Sequence, residues 1–249
     1  MSGHSKWHSI KHKKGAADAK RGKLFTRIIK ELTVAARDGG GDPDMNPRLR
    51  TVIADAKAAN MPADNIKRAI RRGTGEEPGV SYEEVTYEGY GPGGVALFIE
   101  VLTDNKNRAV GEVRHALTKH GGNLGSSNSV AWMFDKRGYI LVEQGAADEE
   151  ELMTAAIDAG ADDFSDDADS WEIISAPDVF DAVAEAVRRI GVEPTSAQVA
   201  MLPQNLVAVE GKQAQQLMKL LGALEDLDDV QNVWSNADVS EKEIEASLA

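Results

Sequence analysis

The sequence predicts an α+β chain: an N-terminal three-helix domain followed by two ferredoxin-like βαββαβ units, one inserted in the other. Three observations predict it. Apolar residues repeat at helical 3/4 spacing up to about Gly75, then in short strand-like and helix-like runs after Gly79. The charge divides at the same place: 17 Lys and Arg face 7 Asp and Glu up to Gly75, and 11 face 34 from Glu76 onward. The later segments spell βαββαβ twice, once within 137–203 and once across its flanks.

Taken in order, residues 1–14 carry Lys6, Lys11, Lys13 and Lys14, three histidines and Trp7, with Ile10 the sole aliphatic residue. Nothing there can pack a core, so a mobile arm that orders on a partner is expected. A helix follows from about Ala16 to Arg37. Leu24, Phe25, Ile28, Ile29 and Leu32 form its apolar face; Lys20, Lys23, Arg27 and Lys30 keep their own 3/4 rhythm roughly opposite. Gly39-Gly-Gly41 ends it. Asn46-Pro47 reads as N-cap and first residue of a second helix, and Pro62 opens a third, closed by Gly73. Gly73–Gly79 is a linker by composition.

Beyond it, Ser81–Tyr87 alternates like a strand and Gly89–Gly94 reads as a turn. The outer unit takes strand Val95–Leu102, helix Arg108–His120 and strand Val130–Phe134, then strand Leu206–Glu210, helix Ala214–Leu224 and strand Val230–Trp234. The inserted unit takes strand Tyr139–Glu143, helix Glu149–Ala159, strands near Asp162–Phe164 and at Trp171–Ser175, helix Val179–Ile190 and strand Ala197–Met201. The expected divisions are 1–75, 80–135 with 205–238, 137–203, and a tail at 239–249.

Composition narrows the function classes. The chain has no cysteine, which removes disulfides, Cys-ligated zinc and thiol catalysis and suits a reducing compartment. No apolar run approaches a membrane span, and the N-terminus lacks the apolar core of a secretory signal, so a cytoplasmic protein is expected. No nucleophile elbow, Walker loop or zinc-protease helix occurs. His4, His8 and His12 sit among lysines that repel cations, so they read as phosphate contacts or surface histidines. The acidic run Asp162–Asp169 departs from calcium-loop spacing and reads as a solvated loop. A non-enzyme without cofactor or metal is expected, with a metal-dependent phosphodiesterase as the minority reading.

The basic end is the candidate site. Lys20 to Lys30 holds five cations and no acid, whereas a helix face built only for solubility mixes signs. The expected phosphate contacts are Lys6, Lys11, Lys13, Lys14, Lys20, Arg21, Lys23, Arg27 and Lys30, with Lys67, Arg68, Arg71 and Arg72 extending the surface. Trp7 either stacks on a base, a contact worth ~1–3 kcal/mol, or folds back on the bundle as a staple. The acidic remainder holds the molecule off a polyanion elsewhere and could dock a basic protein.

Gly3-His-Ser-Lys-Trp7, Asp18-Ala-Lys-Arg-Gly-Lys23, Asn46-Pro-Arg-Leu-Arg50, Tyr87-Glu-Gly-Tyr-Gly-Pro-Gly-Gly94, Leu102-Thr-Asp-Asn-Lys-Asn-Arg108 and Asp228-Asp-Val-Gln-Asn-Val-Trp234 together resemble the YebC/PmpR family. The resemblance spans nearly the whole chain. It implies a helical domain and two nested α/β domains, a cytoplasmic location and no known catalytic activity. It further implies a DNA-binding transcriptional regulator, with a translational role on the ribosome as the alternative taken from other relatives. The residues alone lean to structured RNA: no helix carries a base-reading Arg/Asn/Gln set for a major groove, though the strands also lack the aromatic RNP signature.

Overall fold

The computed structural model describes residues 17–167 and 169–248. Lys6, Trp7, Lys11, Lys13 and Lys14, with the arm expected there, lie outside the described residues.

Three helices open the described chain: α1 (Ala17–Gly39), α2 (Pro47–Ala58) and α3 (Ala63–Gly73). Their core joins Ile28, Leu32, Ala35 and Ala36 to Leu49, Val52 and Ala56 and to Ile66 and Ala69. Asn46 locks the first corner. Its side-chain oxygen accepts from the Leu49 amide at 3.1 Å while its Nδ2 donates to the carbonyls of Ala35 and Gly40, both at 2.8 Å. It thus satisfies a free donor at the start of α2 and free acceptors at the end of α1. Gly73 closes α3 against α1 because a Cβ there would sit 2.3 Å from the Thr33 carbonyl oxygen.

The outer α/β unit holds strands β1 (Glu83–Tyr90), β2 (Ala96–Thr103), β3 (Asn123–Leu124) and β9 (Val230–Ser235), in sheet order β3-β1-β2-β9. All neighbours are antiparallel. Helices α4 (Lys106–Lys119) and α7 (Gly211–Glu225) cover one face, where Leu97, Ile99 and Val101 meet Val113, Leu117, Leu217 and Leu221. The Gly89–Gly94 segment joins β1 to β2 through a short 3-10 turn at Pro92–Gly94. The last segment, expected as a tail, forms α8 (Glu241–Leu248), which buries Ile244 in the same core.

This unit departs from the expected βαββαβ order. The strand near Ser81–Tyr87 takes a central place, and the segments at 130–134 and 206–210 are absent from the sheet. Glu88 explains the first absence. Its buried carboxylate accepts from the amides of Asn128, Val130 and Ala131 at 2.6, 2.7 and 2.8 Å, so these donors are unavailable to a ladder. The chain there forms a 3-10 turn, Ala131–Met133, and the strand begins only at Phe134. At the second site Val207–Ala208 forms a two-residue strand, β8, paired in parallel with β10 (Ala237–Asp238). Glu88→Ala strands three donors and is expected to cost about 2–3 kcal/mol, read as a lower midpoint in urea, with Glu88→Gln losing less.

The inserted unit contains β4 (Phe134–Glu143), α5 (Glu149–Asp158), β5 (Ala161–Asp167), β6 (Ser170–Ser175), α6 (Phe180–Arg189) and β7 (Ser196–Pro203). Its sheet order is β5-β6-β4-β7 with antiparallel neighbours, the arrangement that two interleaved split βαβ units produce. Both helices pack one face through Leu152, Ala156, Val183 and Val187 against Ile140, Val142 and Ile173. The acidic run expected as a loop forms edge strand β5 and its turn. Exposed Asp162, Asp163 and Asp166 on that edge discourage pairing with another chain.

The helix-free faces of the two sheets meet. Ala96 and Trp234, with Tyr90 and Phe98 beside them, share an apolar cluster with Phe134, Tyr139, Leu141 and Ala200. Both helical layers are therefore turned outward, away from this seam.

Candidate nucleic-acid interface

Lys23, Arg27 and Lys30 stand at i, i+4 and i+7 on α1 and share one face, as their spacing predicts. The anion they meet in the structure is the chain's own. Lys23 Nζ donates to the Asp226 carbonyl at 2.9 Å and lies 3.2 Å from its carboxylate. The Arg27 guanidinium donates to the Glu225 carbonyl. Lys30 Nζ reaches Asp229 Oδ1 at 2.6 Å, the Asp228 carbonyl at 2.8 Å and the Leu102 carbonyl at 3.3 Å.

Burial separates the three. The side chain of Lys30 is 7% exposed and that of Asp229 5%, against 43% for Lys23. A buried ammonium with three oxygen partners has its donors satisfied. Lys30, expected as a phosphate contact, is in this arrangement a structural residue that docks the helical domain on the outer unit. Asp229 also accepts from Thr103 Oγ1 at 2.8 Å and from Arg108 at 2.7 Å. Burial alone pushes the Asp229 carboxyl up. Hydrogen bonds from Lys30, Arg108 and Thr103, with the Lys30 charge, outweigh it and hold the group below its ordinary value of 3.8. Burial lowers the Arg27 guanidinium, offset in part by Glu225, Asp226 and Asp228.

The cations on α3 are arranged differently. Lys67, Arg68, Arg71 and Arg72 are exposed, while Ile66 and Ala69 face the core. Positions 67 and 71, and 68 and 72, form two neighbouring rows on the outer surface. Arg71 pairs with Glu77 at 3.0 Å. Lys67, Arg68 and Arg72 have no ion pair among the described residues. Lys20 and Arg21 stand near the start of α1, and their side chains lie outside the described residues.

The structure thus gathers Lys67, Arg68, Arg71 and Arg72 on one open face, and places Arg27 and Lys30 on an internal seam with Lys23 at its exposed rim. Sequence reasoning missed Asp226 and Asp229 as partners, although the run Glu225-Asp-Leu-Asp-Asp229 shows five positions with four acids and no cation. It also missed Trp132, which is 64% exposed on the turn that Glu88 holds.

Residues 5–76 match the family model described as the TACO1/YebC protein N-terminal domain, and residues 82–237 match the one described as the TACO1/YebC second and third domain. A protein of Acidobacterium capsulatum named probable transcriptional regulatory protein is 61% identical over 243 residues, 98% of each chain. One of the same name from Desulfatibacillum aliphaticivorans is 59% identical over 244 residues, 98% of this chain and 99% of its own. The crystal structure of a conserved hypothetical protein from Aquifex aeolicus is similar with a TM-score of 0.83 at 48% identity, covering 93% of this chain and 96% of that one.

Proposed function

Because the chain belongs to the TACO1/YebC family, we propose that it is a non-enzymatic regulator of gene expression that binds nucleic acid, acting as a DNA-binding transcriptional regulator. The observation that carries this reading is the α3 face. Lys67, Arg68 and Arg72 are exposed, lack ion pairs among the described residues, and belong to a chain of net charge -13 in which acids are otherwise in excess. Unneutralised cations on one open helix face of an otherwise acidic protein suit a phosphate backbone. Lys20 and Arg21, with Lys6, Trp7, Lys11, Lys13 and Lys14, extend the same surface by sequence, and exposed Lys23 can join it. The name shared by the relatives supports the transcriptional role.

One observation favours a second reading, a ribosome-associated factor on structured RNA. The exposed set on α3 is Lys and Arg, with half-buried Asn65 the one amide side chain on that helix, which suits recognition of backbone and shape more than of base edges. Sedimentation separates the two. On a sucrose gradient of a lysate the transcriptional reading expects the protein free of ribosomal fractions, with footprints on defined promoters. Salt-sensitive co-migration with ribosomes and no promoter footprint overturns it in favour of the second.

A further inference from the structure

We infer that the outward layer formed by α4 and α7 is a second contact surface for a nucleic-acid phosphate backbone. The inference rests on the nucleic-acid reading above and adds a face to it.

Of the 11 Lys and Arg after Gly75, six lie on these two helices: Lys106, Arg108, Arg114, Lys119, Lys212 and Lys219. Their only acids are Glu112 on α4 and Glu225, buried at the end of α7. A solvated face in a chain with 34 acids over this stretch would carry acids among its cations. Lys106 pairs with Glu83 at 2.5 Å, and Arg108 with Asp104 and Asp229, both at 2.7 Å. Arg114, Lys119, Lys212 and Lys219 are exposed and have no ion pair among the described residues.

These cations share one surface. The helices lie side by side on the same face of the sheet, with Val113, Ala116 and Leu117 of α4 and Leu217 and Leu221 of α7 turned inward. The opposite faces are left to Arg114, His115 and Lys119, and to Lys212 and Lys219. His120 at the end of α4 is lowered by burial and then by the charges of Lys119, Lys219 and His115, so Lys119 of one helix and Lys219 of the other are within electrostatic reach of one group. Exposed Gln213, Gln215 and Gln216 add neutral donors that suit phosphate oxygens.

The layer adjoins the helical domain. Lys23, near the start of α1, sits on Asp226, which caps the C-terminal end of α7. A strand engaged by the basic N-terminal end is therefore adjacent to one end of this layer. A phosphodiester backbone is the occupant that matches four exposed cations among which Glu112 is the one acid on the two helices' outer surface.

The test uses the full-length protein and measures Kd against KCl concentration for a 30-base-pair duplex and an RNA hairpin. Arg114→Ala/Lys119→Ala/Lys219→Ala is compared with Lys67→Ala/Arg68→Ala/Arg72→Ala. Three lost contacts reduce the duplex slope by about 2–3 log units per log unit of salt. The layer variant is expected to show such a reduction and at least about tenfold weaker binding at 0.15 M salt, with an unchanged thermal midpoint. An unchanged slope in the layer variant, while the α3 variant weakens, overturns this inference and leaves the proposed function standing. Wild-type protein that binds neither probe, or binding that neither variant alters, overturns both. Pelleting with phosphatidylserine vesicles that depends on Arg114, Lys119 and Lys219, with an unaltered nucleic-acid slope, overturns it in favour of a lipid surface.

Discussion

Asp229→Ala is expected to destabilise the protein by about 3–5 kcal/mol, the usual result of removing one partner from a buried ion pair. The carboxylate takes hydrogen bonds from Lys30, Thr103 and Arg108, and the side chain of Lys30 is 7% exposed. Without Asp229 an ammonium remains enclosed with the Leu102 and Asp228 carbonyls as acceptors and the centre of the Tyr82 ring 5.6 Å away, and no anion beside it among the described residues. The measurement is urea unfolding, where the midpoint should fall or the helical domain should melt in a separate first transition. Lys30→Met with Asp229→Leu should recover most of the loss, because two apolar side chains of similar size need no charge compensation. A cost below about 1 kcal/mol for Asp229→Ala would show that the pair behaves as a surface contact. The pH dependence has a definite sign. The folded carboxyl lies below its ordinary value of 3.8, so its contribution is complete above that value and is lost as pH falls through the folded one. Undocking of α1 is therefore expected below about pH 4, with no change from this group between pH 6 and pH 8.

The second large effect concerns binding. Lys67→Ala/Arg68→Ala/Arg72→Ala should weaken affinity for a duplex about a hundredfold at 0.15 M salt, since each phosphate contact contributes about 0.9 log units per log unit of salt. Folding should be unaffected, because all three side chains are exposed and lack ion pairs among the described residues. Lys30→Ala, by contrast, should lower stability without a comparable change in the salt slope of whatever protein remains folded. That contrast distinguishes an open cationic face from a latched one.

Much of the fold could be read locally. The helical domain follows from 3/4 apolar spacing and from Asn46-Pro47, whose cap depends on residues three apart. The inserted unit follows from element order alone, because its two helices and four strands need only one another to bury an apolar face. Long-range chemistry was not legible. The outer sheet was misread where Glu88 captures amides about forty residues away, since a short apolar run such as Val130–Phe134 fits a strand or a 3-10 turn equally. The α1 stripe was correctly read as a row of cations, but amphipathicity cannot say whether the anion opposite is foreign or belongs to the same chain. Lys30 and Asp229 are 199 residues apart and meet only in the folded protein. The open cations on α3 were legible because they are short-range: helical spacing alone puts Lys67, Arg68, Arg71 and Arg72 outside when Ile66 and Ala69 are inside.

On the proposed function, the helical end meets nucleic acid through the exposed face of α3. Photochemical cross-linking of the full-length protein to duplex DNA and to structured RNA, followed by peptide mapping, tests it most directly. Cross-links are expected in peptides that cover 63–73 and the start of α1, and are lost in Lys67→Ala/Arg68→Ala/Arg72→Ala. Cross-links confined to the inserted unit at 134–203, with none in the helical domain, would contradict it.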